Sequence, residues 1–86
     1  MMRRLGIVPL PTTDVVRVMI CAHARGASLF LYDSIEDKAC IADEWYESLE
    51  AAESAARETY GIATWTEIPD PAPGCFDDRI AAVRRA

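Results

Sequence analysis

The chain has 86 residues, 51% of them hydrophobic and 27% charged, which is the length and composition of one globular domain. Its formal net charge is −5, whereas nucleic-acid and membrane-surface binding need a basic face, so we expect neither partner. Its three cysteines form no disulfide framework, and a cytoplasmic setting is expected. No apolar run has the length of a secretory signal or a membrane span.

The acidic residues are concentrated in the middle of the chain. Residues 33–58 hold nine acids and two bases, a balance of −7, whereas the remainder holds five acids and seven arginines. Such a segment is typical of a solvated helix face and loop, but it could also meet a basic partner.

The first 13 residues show no usable periodicity, and two prolines disfavour both helix and strand. We therefore predict an N-terminal arm over residues 1–14 and a single domain over 15–86. Residues 15–23 are rich in β-branched types and predict a strand. One face of that strand is uniformly apolar and should meet a helix; it consists of Val16, Val18, Ile20 and Ala22.

A turn at residues 24–26 and a second strand over 27–32 complete a predicted hairpin. Residues 38–42 predict a short third strand, after which residues 43–46 lead into a helix. Alternation over residues 64–68 predicts a last strand. Three prolines then end regular structure, and a helical turn is favoured from Asp77 onward.

The segment from Ser48 to Gly61 carries a complete set of helix signals. Ser48 is a good N-cap, and Gly61 supplies the left-handed residue of a Schellman ending, with Ile62 as the apolar residue after it. Glu53 and Arg57 are spaced for an ion pair on the outer face. A stripe made mostly of alanine predicts close packing on a sheet; its members are Leu49, Ala52, Ala55, Ala56, Thr59 and Tyr60.

These elements predict an α+β fold of two layers, in which one main helix packs across a small, mostly antiparallel sheet. The predicted order is hairpin, short strand, helix and strand. A sheet this narrow exposes its edges and its second face, where we expect Met19, Phe30 and Tyr32 to be uncovered. Dimerisation would cover them, so a homo-oligomer is predicted.

Four residues could supply metal ligands or a nucleophile. Cys21, His23, Cys40 and Cys75 are suitable zinc ligands, but no Cys-x-x-Cys pair is present. Cys21 and His23 could instead act as nucleophile and base, although no orienting third group is evident. The acids between residues 33 and 44 lack EF-hand spacing. No catalytic residue, metal or cofactor is therefore predicted, and a small metal- or cysteine-dependent hydrolase is the alternative function.

Four aromatic residues bracket the helix. Trp45 and Tyr46 precede it, and Tyr60 and Trp65 follow it. They could hold the helix against the sheet. An exposed Trp45 beside two acids would instead be an anchor for a protein partner. The candidate interaction residues are Met19, Phe30, Tyr32, Asp43, Glu44 and Trp45.

The run Cys-Ile-Ala-Asp-Glu-Trp-Tyr-Glu-Ser-Leu-Glu-Ala-Ala over residues 40–52, then Tyr-Gly-Ile, Trp65 and Ile-Pro-Asp-Pro-Ala-Pro-Gly-Cys, resembles small bacterial proteins that carry no assigned activity. The resemblance covers about residues 15–84 and implies a stand-alone bacterial domain, but it transfers no site residue. Where those proteins often have a polar pair after the cysteine, this chain has Phe76 and Asp77. The predicted function is a non-enzymatic protein-interaction domain, as a homodimer or as the acidic partner of a basic protein.

Overall fold

A computed structural model describes residues 2–9, 14–35 and 40–69. Along the chain, the described elements are β1 (Met2–Ile7), β2 (Arg17–His23), β3 (Gly26–Tyr32), β4 (Ala42–Tyr46), α1 (Leu49–Tyr60) and β5 (Thr66–Ile68). These strands form one antiparallel sheet in the order β4-β3-β2-β1-β5, and the helix packs across it. The predicted α+β fold is confirmed.

The predicted hairpin is formed by β2 and β3. His23 lies opposite Gly26, which leaves a two-residue turn between the strands. The alternation predicted from the sequence is confirmed from Val18 onward, where the apolar residues of one face join the core beneath α1. It does not hold just before β2, because Val16 is half-buried outside this cluster and Val15 belongs to it. The core residues contributed by these two strands are Val18, Ile20, Ala27, Leu29 and Leu31, with Ala22 packed against them.

β1 is a strand inside the sheet, so the prediction of an N-terminal arm is wrong for residues 2–7. It pairs with β2 from Met2 opposite Ala22 to Ile7 opposite Arg17, and with β5 on its other side. The prolines that argued against a strand lie beyond its end. Arginines at positions 3 and 4 place charges on both faces, which hides the alternation in the sequence.

β4 lies later in the chain than predicted. The third strand was expected over residues 38–42, but it begins at Ala42, and residues 36–39 lie outside the described part. Residues expected to lead into the helix are therefore paired with β3, with Asp43 opposite Phe30 and Trp45 opposite Ser28. The sheet tolerates these charged residues because β4 is an edge strand with exposed side chains.

α1 has the predicted caps. The Ser48 hydroxyl accepts from the Ala51 N–H at 3.1 Å, and Gly61 is left-handed with φ of 72°. The Gly61 N–H donates to the Arg57 carbonyl at 3.0 Å, which is the 5→1 bond of the αL ending. The Ile62 N–H reaches the Ala56 carbonyl at 3.5 Å, so the bonding differs in detail from the predicted Schellman pair.

The alanine stripe faces the sheet as predicted. Ala52 and Ala56 are fully buried in the same cluster as the apolar residues of β2 and β3. At its borders Leu49 and Tyr60 are half-buried, whereas Thr59 is exposed. No helix in the described part of the chain is long and apolar enough to span a membrane.

Glu53 pairs with a strand instead of along the helix. Its Oε1 accepts from Nη1 of Arg4 at 2.6 Å, and both side chains are partly exposed. Glu53 therefore pairs with Arg4 and not with Arg57, the partner that was predicted from the sequence. The bond links α1 to β1, the strand that the sequence pattern did not predict.

The second face of the sheet is buried at its centre. Met19 and Tyr32 are fully buried, so the prediction that they are uncovered is wrong. Two arginines on the same face lie against them. The Arg17 guanidinium is 5.3 Å from the centre of the Tyr32 ring, and Nη1 of Arg3 is 3.8 Å from the Met19 sulfur. Both arginines are themselves buried on this face, so they contribute to its cover.

Candidate functional site

Three of the candidate interaction residues lie side by side on β4. Asp43, Glu44 and Trp45 are all exposed, and Trp45 exposes 56% of its surface. We define these three side chains, together with the outer backbone of Ala42–Tyr46, as the β4 edge. The exposure of Trp45 is the condition under which the sequence suggested an anchor for a protein partner.

The register divides the side chains of the β4 edge between the two faces of the sheet. Asp43 and Trp45 lie on the second face, opposite Phe30 and Ser28. Glu44 lies on the helix face, opposite Leu29. The carboxylates therefore border the edge from both sides, and the indole shares its side with Asp43.

The exposed indole of Trp45 is held by two neighbours at the hairpin end. Its ring stacks on the His23 ring with centroids 6.4 Å apart and planes inclined by 28°. It also lies over Gly26, where a Cβ atom would come within 2.6 Å of the indole Cζ2. Both neighbours belong to the same chain, so they favour this orientation of the ring before any partner binds.

The outer backbone of β4 is open. In the stretches 2–9, 14–35 and 40–69, β4 forms a ladder with β3 and with no other strand. Its first four residues are exposed. Amide and carbonyl groups along such an edge are available to another extended chain.

Glu44 contributes to the raised pKa values of two tyrosines on the helix face, Tyr46 and Tyr60. The Tyr46 hydroxyl donates to Oε1 of Glu44 at 2.9 Å. Partial burial, followed by this hydrogen bond and the Glu44 charge, raises the pKa of Tyr46 above 10.0. Burial and then the charge of Glu44 also raise the pKa of Tyr60. Both phenols are therefore neutral donors at physiological pH beside a negative edge.

The cysteine and histidine candidates come together only in part. Sγ of Cys21 lies 3.4 Å from Nε2 of His23, but Cys21 is fully buried while His23 is exposed. Cys40 is half-buried, and Cys75 lies outside the described residues. The described residues contain no group of three or more His, Cys, Asp or Glu that could hold a metal ion. The buried thiol gives a substrate no direct approach.

The structure therefore separates the candidates named from the sequence. Asp43, Glu44 and Trp45 form one surface, and the half-buried Phe30 adjoins it, whereas Met19 and Tyr32 are buried away from it. Sequence reasoning missed His23 as the stacking partner of Trp45. Only the correct register of β4 could have shown this contact, because it places Trp45 beside the hairpin end.

No protein-family model, curated protein or solved structure matches this chain. The resemblance to small bacterial proteins therefore stays an interpretation of the sequence.

Proposed function

We propose that this chain is a non-enzymatic protein-interaction domain that binds a basic protein through the β4 edge. The observation that carries the proposal is Trp45, 56% exposed on an edge strand and preceded in sequence by two carboxylates. Tryptophan is enriched among the residues that dominate binding energy at protein interfaces. A large ring of this kind has no core role on the exposed edge of a sheet.

The chemistry of the β4 edge favours a basic partner over a neutral one. Asp43 and Glu44 attract positive charge, which raises association rates and disfavours acidic proteins. An arginine or lysine over the indole gains about 0.5–2 kcal/mol from cation–π attraction. The excess of acids over residues 33–58 extends this potential beyond the three edge side chains.

A homodimer, the other form predicted from the sequence, has less support. Its expected interface was a sheet edge or the second face, and Met19 and Tyr32 of that face are buried within the chain. Self-pairing at the β4 edge would bring the acids of two copies together, and like charges that lie opposite each other destabilise a sheet. We therefore propose the heterologous, basic partner as the functional one.

The contact between Cys21 and His23 favours the alternative, a small metal- or cysteine-dependent hydrolase. Elemental analysis of the purified full chain and thiol labelling of the native protein test it. Stoichiometric zinc, or labelling of Cys21 without unfolding, would support the hydrolase. We expect neither, because Cys21 is fully buried and a structural thiol of this kind is unreactive.

Affinity purification followed by reconstitution tests the interaction function. Proteins retained by the purified chain are identified by mass spectrometry, and the dissociation constant of each purified candidate is measured. We expect a basic protein whose affinity for the chain falls at least about tenfold when the variant Asp43→Lys/Glu44→Lys is used. A tenfold loss corresponds to about 1.4 kcal/mol, and removing one partner of a buried interfacial charge pair costs about 2–5 kcal/mol.

The matched control is Glu58→Lys/Glu67→Lys, which makes the same change in net charge at exposed residues of α1 and β5. Equal loss of affinity in the two variants would show that net charge alone governs binding. That result, or an acidic partner, would refute the proposed function.

A further inference from the structure

We propose that the partner binds by strand addition: an extended basic segment pairs with β4 through main-chain hydrogen bonds and places an arginine over Trp45. This inference rests on the proposed function, and it adds the conformation of the partner and the contacts of one of its side chains. It commits to a basic chain in the β conformation, not to a helix or a folded surface.

The first support is the geometry of the outer backbone. β4 has five residues, contains no proline and exposes its side chains, and a strand of this length presents roughly 17 Å of edge. Edge strands usually carry a proline, a bulge or a covering segment that prevents pairing with other chains. In the residues that the structure describes, the feature of Ala42–Tyr46 that opposes pairing with other chains is its charge, and all of that charge is negative.

The second support is that the two negative charges of β4 disfavour a second copy of this chain and favour a basic strand. If a second copy paired with β4 in an antiparallel manner about its centre, Glu44 would lie opposite its own copy and Asp43 opposite Trp45. The two Glu44 carboxylates would then lie directly opposite each other on the helix face, and like charges so placed destabilise a sheet. A basic strand replaces this repulsion with attraction, so the same acids exclude self-pairing and admit a basic segment.

The third support is that Asp43 and Trp45 lie on the same face of the sheet. Side chains of an added strand alternate between the two faces, so every second residue of the partner meets the side that carries both groups. A guanidinium can stack on the indole while its N–H groups donate to a carboxylate. An ammonium group stacks less well, so arginine is preferred to lysine at this position.

The fourth support is the order of the indole. Its ring stacks on His23 and lies over Gly26 within the free protein. A side chain that is already oriented loses less conformational entropy when a partner binds. The β4 edge therefore offers a strand backbone and an oriented aromatic ring to the same ligand.

The test uses the isotope-labelled full chain and a short capped peptide of alternating arginine and valine, long enough to span β4. Nuclear magnetic resonance gives the affinity and the exchange rate of each amide proton. We expect the peptide to slow exchange at least about tenfold at the β4 amides that do not bond β3, and to shift the Trp45 indole signal. Affinity should fall as ionic strength rises.

Two control peptides separate backbone pairing from charge. The first has the same sequence with N-methyl groups on alternate amides, so it keeps the charge but loses main-chain donors. We expect it to bind about tenfold more weakly or worse, since each lost hydrogen bond reduces affinity. The second replaces arginine by lysine and should bind more weakly than the arginine peptide, with a smaller shift of the Trp45 signal.

The outcomes distinguish this inference from the proposed function. Equal binding of the N-methylated peptide, protection at Thr66–Ile68 instead of β4, or no peptide binding would overturn strand addition. If a purified basic partner still required Asp43 and Glu44, the proposed function would stand without it. If binding of that partner were also indifferent to both acids, the two proposals would fail together.

Discussion

At the scale of single residues, Gly26 determines how closely Trp45 and the end of β4 approach the hairpin. A Cβ atom at Gly26 would clash with the Tyr46 carbonyl oxygen and would come within 2.6 Å of the Trp45 indole. The backbone oxygen cannot move without disturbing the pairing of β3 with β4. The absence of a side chain at this position is therefore part of the candidate site.

We predict that Gly26→Ala destabilises the protein by about 1–3 kcal/mol, the usual cost of forcing extra atoms into a packed contact. Urea unfolding measures the change. Tryptophan fluorescence should shift as well, because the Trp45 ring must leave its place over residue 26. Arg25→Ala, in the exposed turn beside it, is the control and should change stability by less than about 0.5 kcal/mol. Equal effects of the two substitutions would contradict the close approach.

The ionisation of Tyr46 provides a second prediction at this scale. Burial, the hydrogen bond to Glu44 and the Glu44 charge raise its pKa, in that order of importance. We expect Glu44→Gln to move the pKa of Tyr46 toward 10.0 without reaching it, because burial is unchanged. Ring-carbon chemical shifts, which separate the tyrosines, follow the titration. Asp43→Asn, on the other face of β4, should leave the Tyr46 titration unchanged, and a comparable shift in that variant would exclude a local effect of Glu44.

The same raised pKa fixes the sign of the pH dependence of stability. Because the folded state favours the neutral phenol, the stabilising contribution of Tyr46 is fully present below the unfolded pKa. It is lost as pH rises from about 10 through the raised folded value. Unfolding free energies measured across this alkaline range should fall more steeply for the wild type than for Glu44→Gln.

Single residues were predicted from the sequence with uneven success, for physical reasons. The acidic pair and Trp45 were named together because they are consecutive, and their exposure follows from their place on an edge strand. Met19 and Tyr32 were misjudged because alternation identifies a face but not what lies over it. The guanidinium groups of two arginines from the same face lie against these residues.

At the scale of elements, local signals succeeded where they were complete. α1 has its predicted N-cap, stripe and left-handed end because each signal acts within a few residues of the chain. β1 was not predicted, since its place in the sheet depends on pairing with β2 and with the distant β5 and not on its own residues. Its own pattern is obscured by Arg3, Arg4 and Gly6. A Cβ atom at Gly6 would come within 2.6 Å of Ile62, so the apolar position expected there is filled from another segment.

The packing of α1 gives the prediction at this scale. Ala52 and Ala56 are fully buried against the sheet, and we expect Ala52→Leu to lower stability by about 1–3 kcal/mol through overpacking. Ala51→Leu adds the same atoms at an exposed position of the helix and should change stability by less than about 0.5 kcal/mol. Thermal or urea unfolding compares the two. A melting temperature unchanged by Ala52→Leu would mean that the alanine stripe does not pack closely on β2 and β3.

At the scale of the whole molecule, the strand order places β4 and β5 at opposite edges of the sheet. The sequence predicted the two layers and the single helix, but it could not give this order, because strand neighbours depend on long-range pairing. Once β1 is inserted between β2 and β5, the edges become specific strands, and the acidic segment 43–46 occupies one of them. Part of the excess of acids in the middle of the sequence therefore lies on one edge of the sheet.

This arrangement gives a prediction about pairing between copies of the chain. If the negative charge of the β4 edge prevents contact between copies, Asp43→Asn/Glu44→Gln should self-associate at concentrations where the wild type does not, because an uncharged edge strand pairs readily. Sedimentation velocity over a concentration series measures the association. High salt should move the wild type in the same direction as the substitution, since it screens repulsion between exposed charges.

Glu50→Gln/Glu58→Gln is the matched control, because it removes the same net charge from exposed positions of α1. If this variant associates as strongly as the edge variant, the effect comes from net charge and not from the open backbone of β4. If only the edge variant associates, the acids of β4 protect an edge that is otherwise competent to pair. A basic strand, which those acids attract, would then be the extended chain best suited to bind there.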